Sequence, residues 1–337
     1  MKKKSACAII IMEINIYIIS PGRKSAPERG KDRKMSEKEK MKTQEKETDG
    51  RRIDLHTHST CSDGSMRPAE VVQCAKEHGL CAMALSDHDT VAGVEEAMQA
   101  GKKLGVEVIP AIELSAQSET ETHMLGYFVD IHNRQLHDTM RRVIEVRQQR
   151  SQDNCDALRR LGFDVTMEEA AQLAGGEMLC RAHFARLLVN KGYCSSVKEA
   201  FDVYLGVGKP AYSSRQALTD IEAIELIHEA GGIAVAAHLN QMKRDDEHLD
   251  AYIRRLKEAG LDGVEGYYTE YTPDMFLKYN ALARKYDLII SGGSDFHGAM
   301  KPHITIGKGT GNLSIPYSVL EGMKQYYQLK YSNRKEG

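Results

Sequence analysis

From Arg51 onward, short apolar runs alternate with stretches whose apolar residues recur at helical spacing. The runs at 53–56, 81–86, 106–114, 123–129, 233–237, 263–267 and 288–291 are too short for helices and read as strands. Between and after them, 68–78, 91–104, 221–230, 249–259, 275–286 and 315–327 read as helices. The punctuation agrees. Pro68 suits a first helical turn, Gly105 follows the second helix, and Gly231-Gly232 stops the helix before them. Strands alternating with helices of this length imply an α/β fold with a parallel sheet, and this many units favour a closed or nearly closed barrel. Residues 133–212 break the alternation. Leu136, Met140, Val143 and Ile144 mark a long helix, and further helical patterns follow at 167–173, 182–190 and 197–205. This stretch reads as a helical insertion into the barrel.

The first fifty residues differ from the rest. An apolar run at 9–19 follows Met1-Lys2-Lys3-Lys4, but Glu13 and Asn15 interrupt it and no small-residue cleavage site follows. The run is too short to span a bilayer. Residues 22–50 are dense in Lys, Glu, Arg and Asp, and such a segment cannot bury enough surface to offset its chain entropy. Residues 1–50 are therefore expected to be a disordered extension, with Met35 or Met41 as alternative starts and a weak membrane anchor as the competing reading. Residues 51–330 form the folded domain.

Composition narrows the function classes. The formal net charge of -2 gives no global field for nucleic acid or a membrane surface, so any anion must be bound by a local site. The seven Cys are odd in number and lack zinc-finger spacing, which reads as reduced thiols in a cytoplasmic protein.

The candidate chemistry lies where the strands end. The first strand runs into His56-Thr57-His58 and then Asp63, and the second into Ser86-Asp87-His88-Asp89. The third reaches Glu113, the strand at 233–237 reaches His238, and the strand at 288–291 leads to Ser294-Asp295-Phe296-His297. In a parallel barrel these ends share one face, which carries the active site. Each element has a blander reading alone: Asp87 and Asp89 stand where helix caps would, and Glu113 and Glu265 suit buried structural carboxylates. Together they describe a metal site. So many imidazoles and carboxylates in one pocket repel once charged, and divalent ions resolve this by taking lone pairs from neutral His and ionised carboxylate. The absence of Cys argues against a closed structural zinc site, and an imidazole-rich set suits manganese, iron or zinc better than magnesium.

The order H-T-H-S-x-x-S-D-G, S-D-H-D-T, Glu113, His123, His238 and S-D-F-H-G resembles the PHP (polymerase and histidinol phosphatase) family, over residues 51 to about 327. Residues 181–186 (R-A-H-F-A-R) and 206–212 (G-V-G-K-P-A-Y) are similar to its TrpH-like branch, which includes 3′,5′-nucleotide bisphosphate phosphatases and an exoribonuclease that trims short RNA 5′ ends. The resemblance implies a distorted (β/α)7 TIM-like barrel holding three divalent ions, manganese first. It implies that His56, His58, Glu113 and Asp295 hold one ion, that Glu113 bridges to a second held with His123 and His238, and that Asp63, His88 and His297 hold a third and act in catalysis. Arg181, His183 and Lys209 are then candidates for a substrate-binding wall on the insertion. The implied substrate is a small phosphorylated nucleotide or short oligonucleotide, with no membrane partner and the oligomeric state left open. A histidinol-phosphate or other small-metabolite phosphatase, and a non-catalytic binding module, are the competing readings. One departure is visible: the histidine of the fourth segment is usually followed by Pro, and here by Leu239, which puts the shape of that loop in question.

Overall fold

A computed structural model of the chain describes residues 50–117, 121–174, 179, 181–213 and 218–332. The expectations for residues 1–49 lie outside these. Among the described residues the strands are β1 (Arg52–Thr57), β2 (Leu80–Leu85), β3 (Glu107–Gln117), β4 (Glu121–Tyr127), β5 (Ile233–Ala236), β6 (Gly263–Tyr268), β7 (Ile289–Gly293) and the short β8 (Ile315–Pro316). They form one sheet in the order β7-β6-β5-β4-β3-β2-β1-β8. The sheet curls until its ends meet. Thr57 bridges Phe296 in parallel, the His58 N–H donates to the Phe296 carbonyl at 2.9 Å, and the Asp295 N–H donates to the His56 carbonyl at 2.9 Å. Gly293 makes this seam possible, because a Cβ there would stand 2.3 Å from both the Cβ and the backbone nitrogen of His56.

The parallel expectation fails at β4 and at the short β8, which pairs antiparallel with β1. β4 runs antiparallel to both β3 and β5. Residues 118–120 are too few for the crossover that a parallel neighbour needs, so the chain turns back as a hairpin. This reversal serves the site. The beginning of an antiparallel strand lies beside the ends of its neighbours, so His123, early in β4, reaches the face where β3 and β5 finish.

Helices α1 (Pro68–Glu77) and α2 (Val94–Leu104) follow β1 and β2, and α7 (Asp220–Glu229), α8 (Asp246–Glu258) and α9 (Pro273–Lys285) flank the later strands. Each buries one stripe. Val71 and Val72 of α1 pack with Met83 and Leu85, whereas Ile227, Ile253 and Tyr279 join Leu114 and Val264. The final helix, α10 (Tyr317–Ser332), starts later than expected. Ile315 pairs with Ile53 as β8, since a residue before proline favours extended backbone.

The segment between β4 and α7 is helical: α3 (Arg134–Arg160), α4 (Met167–Ala174), α5 (Arg181–Asn190) and α6 (Val197–Ala200). It has its own apolar cluster, including Leu158, Phe184, Leu188 and Leu205. The helix expected at 197–205 changes into one π turn, Phe201–Leu205, closed by the Gly206 N–H on the Phe201 carbonyl at 2.8 Å. A Cβ on Gly206 would lie 2.6 Å from that carbonyl oxygen, so only glycine fits.

Candidate metal centre

Alternation along β1 sends His56 one way, and His58 follows two residues on in the continuing extended chain. Both are fully buried. Glu113, near the end of β3, is the hub. Its Oε2 lies 3.2 Å from His56 Nε2, His58 Nε2 and His88 Nδ1. Its Oε1 lies 2.9 Å from His123 Nδ1 and 3.0 Å from His238 Nε2. One carboxylate therefore gathers imidazoles from β1, its following loop, the β2 loop, β4 and the β5 end.

Two further carboxylates complete the cluster. Asp295 Oδ1 is 3.3 Å from His58 Nε2 and 3.7 Å from His56 Nε2. Asp63 lies 3.2 Å from His297 Nε2, 3.6 Å from His58 Nδ1 and 3.7 Å from His88 Nε2. The nine residues that the sequence motifs single out as ligands thus converge. Three subsets place ligand atoms within 4.8 Å of one another: His58, Asp63, His88 and His297; His56, His58 and Asp295; and His88, Glu113 and His123. Asp63, His88 and His123 keep side-chain exposures of 30%, 18% and 21%, whereas His56, His58 and Glu113 are at most 1% exposed. A molecule arriving from solvent meets the first three.

The protein groups alone leave this pocket electrostatically unresolved. Burial opposes the charged form of His56, but Glu113 and Glu265 outweigh it and hold the imidazole well above its ordinary value. His58, despite burial, is pushed up to about 9 by Asp295, Glu113 and Asp63. His88 goes the other way: burial holds it well below the ordinary range, aided by His58 and His123 against the pull of Glu113. Burial raises Glu113, yet His88, His56 and His123 outweigh it and keep the carboxyl ionised. Neighbouring imidazoles cannot all be protonated. Both ring nitrogens of His58 and Nδ1 of His88 are buried 3.2–3.6 Å from carboxylate oxygens without an aligned hydrogen bond. Such atoms are costly unless something accepts their lone pairs, and with imidazole and carboxylate as donors that is a divalent ion.

Other groups hold these side chains in place. Glu265, which the sequence reading treats as structural, is fully buried at the face. Its Oε1 is 3.0 Å from His56 Nδ1, and its Oε2 accepts the His238 N–H at 2.7 Å. Asp54 accepts the N–H groups of His56, Ser294 and Gly307 and the Ser294 hydroxyl, tying β1 to the loops after β7. Asp87 is not a helix cap: it accepts the Ser59 N–H and the hydroxyls of Ser59 and Ser62, shaping the loop between His58 and Asp63. Asp89 is not a cap either. It takes the Ser115 N–H at 2.8 Å and pairs with Arg147 of α3 at 3.0 Å. The N-cap of α2 is Gly93. The only sequence signal for these positioning groups is an acid within or just after a strand.

The loop at Leu239 also has a physical account. His238 sits at φ 25°, and a short 3-10 turn, Leu239–Met242, follows. The Leu239 N–H donates to the Tyr271 hydroxyl at 2.9 Å, a bond that proline could not make.

Arg181, His183 and Lys209 lie in the insertion. Arg181 Nη1 donates to the Leu205 carbonyl at 3.2 Å, and its guanidinium lies 5.1 Å from the centre of the Tyr212 ring. His183 is buried and Lys209 is exposed.

Comparison with known proteins agrees with this geometry. The PHP domain family matches residues 54–304. A 5′-3′ exoribonuclease of Haemophilus influenzae is 37% identical over 248 residues, covering 73% of this chain and 90% of that protein. A 3′,5′-nucleoside bisphosphate phosphatase of Chromobacterium violaceum is 32% identical over 247 residues, covering 73% and 87%. Among solved structures, an amidohydrolase from Chromobacterium violaceum superposes with a TM-score of 0.68 at 29% identity, covering 82% of this chain and 96% of that one. With its motifs converging on one barrel face, the chain belongs to the PHP domain family of metal-dependent phosphoesterases.

Proposed function

We propose that this phosphoesterase releases the 3′-phosphate of small 3′,5′-bisphosphate nucleotides, with trimming of short RNA from its 5′ end as a related activity. The Glu113 hub carries the reading: a buried carboxylate ringed by five imidazoles, open to solvent through Asp63, His88 and His123. Its three overlapping ligand groups suit three divalent ions, with manganese as the first choice for this donor set. Bound there, such ions supply a positive field for an anionic phosphate and water acidified toward a pKa of roughly 7.

The chain's own residues do the rest. Glu113 presents one oxygen to His56, His58 and His88 and the other to His123 and His238, so both could serve ions held by those imidazoles. Glu265 and Asp54 keep β1's histidines aimed, and Asp87 holds the loop that presents Asp63. Phosphoryl transfer needs mainly positioning and charge stabilisation, so no side-chain nucleophile is required. The 32% identity to a bisphosphate phosphatase and 37% to an exoribonuclease supports the nucleotide substrate class. No helix among the described residues is long and apolar enough to cross a membrane. The free thiols of Cys61, Cys74, Cys81, Cys155 and Cys194 suit the reducing cytoplasm, where we place the enzyme.

The test is phosphate release from a 3′,5′-bisphosphate nucleotide with manganese supplied. Activity should vanish on exhaustive chelation, return with manganese, and be nearly absent in Asp295→Asn, which should still melt cooperatively. Turnover that survives chelation or the substitution overturns the metal mechanism.

A further inference from the structure

Asp295 carries a cation that the ligand motifs do not include. Lys301 Nζ lies 2.7 Å from Asp295 Oδ2. The opposite oxygen, Oδ1, faces His56 and His58. The backbone brings Lys301 back over the site. Gly298, at φ 64°, opens a short 3-10 turn, Gly298–Met300, and the Ser65 hydroxyl oxygen accepts the Ala299 N–H at 2.7 Å. The lysine side chain is 36% exposed, while Asp295 is 7% exposed, so the ammonium sits at the pocket rim with the carboxylate beneath it.

Asp295 does not need Lys301 to be satisfied. The Tyr268 hydroxyl donates to the same Oδ2 at 2.9 Å. Tyr268 is buried, and Gln241 Nε2 donates to its hydroxyl at 2.8 Å. Burial and the charge of Asp295 push the phenol far above its ordinary value, so it stays a donor. A rigid donor therefore already fixes the carboxylate, and the second donor is a long, flexible, partly exposed ammonium.

We propose that Lys301 is a phosphate-binding residue, its ammonium moving from Asp295 to a non-bridging oxygen of a phosphate monoester dianion in the pocket. This rests on the phosphoesterase reading above. The move exchanges one charge-assisted hydrogen bond for another and leaves Asp295 held by Tyr268. No proton is transferred and no covalent bond changes.

The experiment compares wild type, Lys301→Met and Lys301→Arg, each loaded with manganese. It measures competitive inhibition by inorganic phosphate, kcat/KM for a nucleotide monoester, and bound manganese by elemental analysis. Loss of one charge-assisted contact predicts weaker phosphate inhibition and lower kcat/KM in Lys301→Met, each by on the order of ten- to a hundredfold, with bound manganese unchanged. Lys301→Arg should recover most of both. Unchanged phosphate inhibition in Lys301→Met overturns the proposal while the phosphoesterase reading stands. A loss accompanied by loss of manganese also overturns it, because Lys301 would then serve only to hold Asp295. Wild-type protein that binds neither manganese nor phosphate removes both readings.

Discussion

Replacing Glu265 with glutamine tests whether the buried carboxylate behind His56 belongs to the active site. The substitution keeps shape and volume but halves the acceptors. Glu265 now accepts from His56 at 3.0 Å and from the His238 N–H at 2.7 Å. The first contact fixes the proton on His56 Nδ1 and leaves the Nε2 lone pair, which faces Glu113 and Asp295, for an ion. Glutamine has one oxygen for these two donors. If its NH2 group faces His56, the imidazole must accept at Nδ1 and carry its proton on Nε2, which removes it as a ligand. If the NH2 faces His238, a buried backbone N–H is orphaned beside a residue already at φ 25°.

The second arrangement costs about 1–3 kcal/mol for the orphaned N–H, and the first costs the Nε2 lone pair of His56. Loss of such an orienting partner lowers metal affinity or activity roughly 10- to 100-fold. Manganese titration by calorimetry reads the first quantity, and kcat/KM on a phosphomonoester reads the second. The melting temperature of the metal-free protein should fall by roughly 2–4 °C per kcal/mol lost. Wild-type manganese affinity together with wild-type turnover in Glu265→Gln would refute the positioning role, whatever happens to stability.

Three other outcomes follow from the geometry. Asp262→Asn should destabilise the protein by about 3 kcal/mol at neutral pH, because Asp262 is buried and accepts from His228, Lys330, Tyr326 and the Ala234 N–H. Burial raises its carboxyl, but His228 and Lys330 outweigh this and the pKa is lowered. Its contribution is thus present above the ordinary carboxylate value of 3.8 and lost as pH falls below it, so melting curves of the two proteins should converge in acid. Gly293→Ala should cost about 1–3 kcal/mol and most of the activity, since its Cβ would collide with His56 across the barrel seam; an unchanged melting temperature with full turnover counts against that tight seam. Arg181→Ala should lower kcat/KM for a 3′,5′-bisphosphate roughly ten- to a hundredfold, and little for an aryl phosphate, if the insertion holds the remote phosphate. Equal losses on both substrates would mean that Arg181 acts through its bond to Leu205 and the packing of the insertion.

What could be read in the sequence, and what could not, separates along one physical line. His56, His58, His88, Glu113, His238, Asp295 and His297 stand in or just after strands, so local periodicity and the shared face of a barrel placed them together. His123 reaches that face only because β4 is reversed, and a pattern of alternating side chains carries no direction; in the sequence only the short gap between the runs at 106–114 and 123–129 hinted at it. The positioning groups were harder still. Asp54 works on Ser294 across 240 positions, Glu265 on His56 across 209, and Lys301 reaches Asp295 only through a turn opened by Gly298. An acid at a strand end has many uses, and which one applies depends on the partner that closure brings beside it. The candidate ligand set is thus written in short local motifs, whereas the shell that aims it exists only once β7 has met β1. Damage at the seam should therefore disable the ligands while leaving every motif intact, a dependence that Gly293→Ala and Glu265→Gln approach from its two sides.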